Sequence, residues 1–309
     1  MRTLCAVLIT ALGGACRSDA PPDEATAAVP ALQQIVWVDR SGGVTQSVGE
    51  PQQAISGVEV SPDGARVVAR GRVDDNDDIY LHDDESTTRF TEDEAHARHP
   101  MWTPSGESVA YFSYRNGPAD LFIRPAGGSG EEAPLASGPM HEYYPDFTPD
   151  GAVFVFHQHD TDTDRRDLWT ASVDGSTAPE RLTDTPENES LPRFSPDGRY
   201  VAFQAEHDSA WNVYVTTFPR SDKLWQVSTN GGVWPKWSRD GEELFYFESN
   251  RLVSVTAATD DDGELVLGEP ATLFETGSVG GWSAPEASLF NPLYGPSPDG
   301  SRFAIVTTR

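Results

Sequence analysis

The sequence has little cysteine, few basic residues and almost no long apolar runs. Among its 309 residues there are 2 cysteines, Cys5 and Cys16, and both lie near the N-terminus. The rest of the chain therefore has no disulfide or thiolate chemistry, and its stability must come from burial and strand pairing. There are 22 Lys and Arg against 49 Asp and Glu, which gives a formal net charge of −27. Such a surface repels phosphate backbones, so we expect no nucleic-acid partner.

The one long apolar run, residues 4–12, follows Arg2 and precedes small residues and Cys16. This order is typical of a secretory signal, and the run is too short for a stable transmembrane helix. The small residues before the cysteine resemble the lipobox of bacterial lipoproteins, in which the cysteine is acylated. We expect a lipoprotein-type signal peptide at residues 1–15, lipid attachment at Cys16 and a flexible tether at 16–32. The alternative is an ordinary signal peptide with an incidental cysteine.

Six copies of a Ser-Pro-Asp-Gly type segment follow, and their glycines are spaced by 42, 45, 47, 43 and 59 residues. Periods of about 40–50 residues indicate propeller blades. Proline fixes φ, aspartate accepts amide hydrogen bonds and glycine supplies a positive φ, so each copy predicts a tight turn. We interpret the turn residues as structural. They are Asp63, Gly64, Gly106, Asp150, Gly151, Asp197, Gly198, Asp240, Gly241, Asp299 and Gly300.

A short strand precedes each turn and an apolar, alternating strand follows it, which predicts six hairpins of strands a and b. Five of them are followed by a second hairpin, of strands c and d. The missing c–d hairpin matches residues 34–48, on the N-terminal side. The predicted fold is all-β, a six-bladed β-propeller of four-stranded blades over residues 33–309. Its last blade combines N-terminal strands c and d with C-terminal strands a and b, and this closure removes open sheet edges.

The repeats resemble the TolB-like family of propellers, which are WD40-like in shape. The resemblance rests on RFSPDGRYVAF at 193–203 and YPDFTPDG at 144–151, and it covers residues 33–309. Residues 223–246 are similar to propeller modules at the C-terminal end of some bacterial membrane-linked Ser/Thr kinases, although no kinase signature occurs. Ser105 and Arg239 depart from the repeat, but both copies keep the glycine. The resemblance implies protein–protein interaction in the cell envelope.

Polar and aromatic residues stand just before the first strands of several blades. The innermost strands of a propeller line its axial channel, so residues that lead into these strands converge at one channel mouth. That mouth is the best candidate for a ligand site, and the alternative is that these residues only hydrate it. The candidates are His96, Arg98, His99, His141, Glu142, Tyr143, Asn188, Glu189 and Trp234.

A metal site is a further candidate, because His157 and His159 are two residues apart and would share one face of a strand. With Asp160 or Asp162 they could bind one metal ion. The alternative is a polar strand end that runs into a loop. Acidic loops at residues 74–78 and 160–164 offer alternating carboxylates of the kind that bind Ca²⁺, with solvated surface as the alternative. No cofactor is required.

The sequence lacks the Gly-x-Ser-x-Gly elbow of the hydrolases that carry such propellers. We therefore expect a non-enzymatic binding scaffold that presents its loops and channel mouth to a protein or peptide of the bacterial cell envelope. We expect a monomer, exported as a periplasmic-side lipoprotein or in soluble form, that meets a membrane only through its lipid. The alternatives are a propeller enzyme or module for a small ligand, carbohydrate or metal, and the sensor half of a signalling system.

Overall fold

Nearly all regular structure is β-strand. The computed structural model describes residues 31–308, except 74, 129, 221–222 and 279–289, so the predicted signal peptide, Cys16 and Asp74 lie outside the described residues. Within them, the one helical element is a short 3₁₀ turn at Thr276–Ser278. In chain order the strands are β1 Gln33–Asp39, β2 Val44–Val60, β3 Val67–Val73, β4 Asn76–His82, β5 Thr87–Arg89, β6 Ala97–Trp102, β7 Ser108–Ser113, β8 Asp120–Pro125, β9 Ala133–Ala136, β10 His141–Phe147, β11 Val153–Asp160, β12 Arg165–Ser172, β13 Glu180–Arg181, β14 Asn188–Phe194, β15 Tyr200–His207, β16 Ala210–Thr217, β17 Leu224–Gln226, β18 Val233–Trp237, β19 Glu243–Glu248, β20 Arg251–Thr259, β21 Leu265–Leu267, β22 Ala271–Glu275, β23 Tyr294–Pro296 and β24 Arg302–Thr308.

The strands form antiparallel sheets in which neighbours along the chain pair. Three sheets have four strands each, β6–β9, β10–β13 and β14–β17. A fourth has five strands, because β20 pairs with both β21 and β22. We number these blades 2, 3, 4 and 5. The predicted all-β propeller of four-stranded blades is confirmed.

The remaining sheet has seven strands in the order β23-β24-β1-β2-β3-β4-β5. Its long strand β2 pairs with β1 up to Gln52 and with β3 from Gln53 onward. We call the part that contains β3–β5 blade 1 and the part that contains β23, β24 and β1 blade 6. The count of six depends on this division of β2, because the hydrogen bonds themselves form five sheets.

The predicted closure between the two ends of the chain is present. Strand β24 pairs with β1 without interruption, from Gln33 opposite Thr308 to Asp39 opposite Arg302. Each antiparallel ladder of this kind satisfies the backbone groups of both edge strands. The ring is therefore held by the same hydrogen bonding that builds each blade.

The core lies between neighbouring blades. For example, Tyr111 and Phe122 of blade 2 pack with Ile79 of blade 1, and Phe203 of blade 4 packs with Leu168 of blade 3. Successive side chains of a strand point to opposite faces of its sheet. Both faces carry apolar side chains because each face meets a neighbouring blade. Complete burial of one such side chain contributes about 1.5–3 kcal/mol.

Candidate functional site

The six repeat turns follow one local design. In blade 4, the hydroxyl of Ser195 donates to Asp197 at 2.6 Å and the amide of Arg199 donates to the same carboxylate at 3.1 Å. Gly198 has a φ of 72°, in the left-handed region. A Cβ atom at Gly198 would lie 3.0 Å from Pro149 of the preceding turn. The turn motif therefore also packs one blade against the next.

The residue two positions before each repeat Ser or Thr lies near the propeller axis. Blade order gives Glu59, Met101, Asp146, Arg193, Lys236 and Gly295 at this position. The first five line a cavity of about 370 Å³, together with the prolines of the repeat turns. We call this the axial cavity. Because Arg193 of blade 4 contacts Glu59 of blade 1 at 2.8 Å, the first strands must face a common axis.

Four of these axial residues are charged. Glu59 accepts hydrogen bonds from Arg193 at 2.8 Å and from Lys236 at 2.6 Å, between side chains that are all at least 88% buried. Lys236 also donates to the carbonyl of Val58 at 2.8 Å. Burial lowers the pKa of Lys236 to about 8, and the neighbouring Glu59 carboxylate opposes that shift. Buried ions need a partner of opposite charge, and here Glu59 is that partner for both Arg193 and Lys236.

Asp146 lies in the same cavity without a direct ion pair to these bases. Its carboxylate accepts the amide of Phe194 at 2.6 Å. Burial raises the pKa of Asp146 to about 6, and the Arg193 cation opposes the shift. The Nε atom of Arg193 is buried and has no hydrogen-bond partner among the described residues. The wall of the cavity thus carries both an acidic and a basic side chain, Asp146 and Arg193.

The rim carries one exposed cation. Arg239 stands at the position where the other five repeats have a proline. In blade 2 that proline is followed by Ser105. Its guanidinium reaches blade 1 and donates to the carbonyl of Pro62. Pro62 and Arg239 both line the axial cavity. Among the charged residues that line the axial cavity, Arg239 is the exposed one.

The opposite end of the axis is filled by the protein itself. His99, Tyr144 and Trp234 are buried there, each in a β-bulge with a positive φ. The carbonyl of Phe290 accepts the Tyr144 hydroxyl at 2.7 Å, and the amide of Gly57 donates to the carbonyl of Pro292 at 2.7 Å. The described segment 290–293 therefore packs against the channel lining at the mouth where the sequence predicted a ligand site.

Three of the predicted channel-mouth residues join neighbouring blades. The amide of Asp77 donates to His96 at 3.1 Å, and the amide of Ala119 donates to His141 at 2.9 Å. Asn188 accepts the amide of Arg166 at 3.0 Å in the same position of the next blade. The three side chains are equivalent along the repeat, so this contact belongs to the architecture of the blades.

Arg98, Glu142 and Glu189 are also placed between blades. Arg98 binds the fully buried carboxylate of Asp77 at 2.6 Å. Burial raises the pKa of both Glu142 and Glu189 to about 7. Glu142 accepts from Gln158 at 3.3 Å, whereas Glu189 accepts from the hydroxyls of two threonines. These three residues do not converge on one site.

The remaining predicted residues form part of an aromatic cluster. The ring of His99 lies 4.3 Å from that of Tyr144, and Tyr143 stacks on His141 with ring centroids 5.6 Å apart. Trp234 belongs to the same buried cluster as Tyr144. His99 and Trp234 are thus inside the channel, while His141 and Tyr143 remain partly exposed.

The candidate metal ligands lie on and after β11. His157 is buried against Tyr143 and its Nδ1 atom lies 2.8 Å from the Ser190 hydroxyl. His159 contacts Asp164 at 2.9 Å. Asp160 accepts the amide of Asp162 at 3.0 Å, which forms a turn. Across the residues that the structure describes, no three His, Cys, Asp or Glu side chains are arranged to hold a metal ion. The metal and Ca²⁺ assignments stay predictions.

These observations define the class: a closed antiparallel β-propeller with a charged cavity on its axis. A family model described as the TolB beta propeller domain matches residues 99–278. That is more than half of the chain, which therefore belongs to this family, as the repeats predicted.

Solved structures share the fold. A protein assigned as TolB from Agrobacterium tumefaciens superposes with a TM-score of 0.68 at 18% identity, over 91% of this chain and 99% of that one. TolB from Acinetobacter baumannii gives 0.50 at 16%, over 90% of this chain and 64% of that one. Oligogalacturonate lyase from Vibrio parahaemolyticus gives 0.55 at 12%, over 90% and 98%. Identities this low show a common fold alone. A search of curated proteins gave no match.

Across the described part of the chain, no helix is long and apolar enough to cross a membrane.

Proposed function

We propose that this protein is a non-enzymatic binding propeller of the bacterial cell envelope. It receives a segment of a protein or peptide partner in the axial cavity, at the end where the repeat turns meet. The observation that carries this proposal is the axial cavity itself, with charged side chains on its wall and a volume of about 370 Å³. Pockets of about 300–1,000 Å³ with a few fixed polar groups are typical of ligand sites.

The location differs from the mouth that the sequence favoured. Segment 290–293 packs against the lining of that mouth, whereas the turn end carries the exposed Arg239 and the buried Lys236 behind it. A partner with hydrogen-bonding and charged groups would find fixed partners at the turn end. Export, attachment through Cys16 and a monomeric state belong to the same proposal and rest on the leader and the closed sheets.

Site-specific photo-crosslinking tests this proposal. The crosslinker replaces Pro104, which lines the cavity but lies more than 4 Å from any Cβ built at Gly151 in the next turn. Pro104 therefore does not pack on the repeat glycine of the next turn, as Pro149 does on Gly198. The control crosslinker replaces Asp208, an exposed residue in the loop between β15 and β16.

With envelope extract, we expect a discrete adduct from position 104 and none from position 208. Arg239→Glu should reduce the adduct several-fold, because it reverses the charge at the rim. Arg220→Glu makes the same charge change on an exposed residue that does not line the cavity, and it should leave the adduct unchanged. Equal adducts at both positions, or none from a folded protein, would contradict the proposal.

A carbohydrate ligand is the second candidate. The partly exposed stack of His141 and Tyr143, with the Tyr114 hydroxyl 3.3 Å from that of Tyr143, offers an aromatic surface with polar edges. Two solved structures with this fold are oligogalacturonate lyases, one of them in complex with manganese. Incubation with oligogalacturonate and Mn²⁺, followed by measurement of unsaturated products, tests it. Product formation that Tyr143→Ala abolishes would favour this candidate over the first.

A further inference from the structure

A second cavity adjoins the axial cavity. It lies between blades 4 and 5, on the face of the repeat turns, and has a volume of about 470 Å³. The two cavities share three lining residues, Ser195, Pro196 and Trp237. We call the second cavity the interblade groove. It extends outward from the axial cavity toward the exposed end of β20, because Thr256 and Thr259 also line it.

The outer wall of the groove is a feature that this chain adds to one blade. Strand β20 runs to Thr259 and pairs there with the additional strand β21. Among the described sheets, no other third strand pairs with two different outer strands. The loop before β21 is braced on blade 4, since the hydroxyl of Tyr200 donates to the carbonyl of Gly263 at 3.2 Å. The groove therefore has two fixed sides, blade 4 and the β20–β21 hairpin of blade 5.

The groove and the axial cavity differ in charge. Asp197, Asp240 and Glu242 line the groove, and Arg199 is the cation beside them. Arg199 is already paired with Asp197 at 2.6 Å. Glu242 is exposed, and no salt bridge joins it to any described residue. The groove can thus accept a cation from a partner.

The axial cavity has the opposite bias. Three cations line it, Arg193, Lys236 and Arg239, against Glu59 and Asp146. Arg193 is 8% exposed, and its buried Nε atom has no hydrogen-bond partner among the described residues. A carboxylate from a partner can reach the exposed Arg239 at the rim of this cavity.

We infer that the two cavities form one binding path for an extended peptide segment of mixed charge. The segment places an acidic group in the axial cavity and lays a basic side chain against Glu242 in the interblade groove, crossing Pro196 and Trp237 between them. This inference rests on the proposed function and adds the direction and the charge order of the bound segment.

The probe is a fluorescently labelled synthetic peptide with lysines in one half and glutamates in the other. Binding to the full chain is measured by anisotropy. Glu242→Lys should weaken binding about fivefold, since an exposed charge pair contributes up to about 1 kcal/mol. The matched control is Glu107→Lys, because Glu107 is exposed and follows the repeat glycine of blade 2 as Glu242 follows that of blade 5.

Crosslinkers at Pro104 and Thr259 then give the order of the bound peptide. We expect the glutamate half to react at position 104 and the lysine half at position 259. The inference is overturned if the peptide does not bind, if the two lysine variants weaken binding equally, or if the halves react in the reverse order. If an envelope partner still reacts at position 104 in any of these cases, the proposed function stands and only the path is wrong. Without that adduct, both are wrong.

Discussion

Asp146 gives a test of the axial cavity that needs no partner. Burial raises the pKa of this carboxyl from 3.8 to about 6. A raised pKa in the folded state means that the protonated carboxyl stabilises the fold below pH 3.8, and that this contribution is lost as the pH rises through 6. At about 1.4 kcal/mol for each unit, the loss is about 3 kcal/mol. Because Asp146 is partly exposed to the cavity, we expect the measured loss of stability to be about 2 to 3 kcal/mol.

Asp146→Asn removes this titration and keeps an oxygen that accepts the amide of Phe194. Urea denaturation of the parent and the variant at pH 4 and pH 7, followed by tryptophan fluorescence, measures the difference. The variant should gain stability relative to the parent as the pH rises. Asp150→Asn is the control, because hydrogen bonds from Thr148 and Ala152 lower the pKa of Asp150 and reverse the sign of its pH dependence. Parallel pH curves for parent and Asp146→Asn would refute the buried environment of Asp146.

Three further perturbations test other contacts. Gly198→Ala and Gly151→Ala introduce the same left-handed strain of about 1–2 kcal/mol, with φ at 72° and 70°, but only Gly198 faces a proline at 3.0 Å. Gly198→Ala should therefore cost about 1 kcal/mol more in thermal or urea denaturation, and equal losses would contradict the contact between turns. Glu142→Gln should gain stability relative to the parent protein between pH 5 and pH 8. Burial raises the pKa of Glu142 to about 7, so the parent loses the contribution of the protonated carboxyl over this range and the variant does not. Phe290→Ala should shift tryptophan emission to longer wavelength by exposing Trp211, whose ring lies 5.5 Å from that of Phe290, and a Trp211→Phe background should abolish the shift.

The fold was predictable because its information is local and repeated. Each turn has a glycine with positive φ, five of the six have an aspartate acceptor, and each following strand alternates in hydrophobicity, so the six copies predicted the blades. The pairing of β1 with β24 followed from counting half-blades. The long strand β2 was not predicted, because no sequence signal marks where the chain passes from blade 6 to blade 1 without a turn.

The site was harder to predict because it depends on which end of the channel the chain itself fills. The sequence does not show that Phe290 reaches Tyr144, so the end where His99 and Trp234 lie was predicted to be open. The residues of the axial cavity did carry a signal. Glu59 and Lys236 stand two positions before a repeat serine, and charges recur at that offset although the strands around them are apolar. Alignment of the repeats on the serine would have found them.

The pairing of β1 with β24 also determines how the molecule bears force. A pull at residue 31 runs along β1, between β24 on one side and β2 on the other. Ladder hydrogen bonds lie across the strand direction, so a load that the rest of the propeller resists at the Arg302 end of β24 shears the seven pairs together. A protein held to a membrane through its N-terminal side, as the leader predicts, would thus carry tension through seven uninterrupted pairs of one ladder.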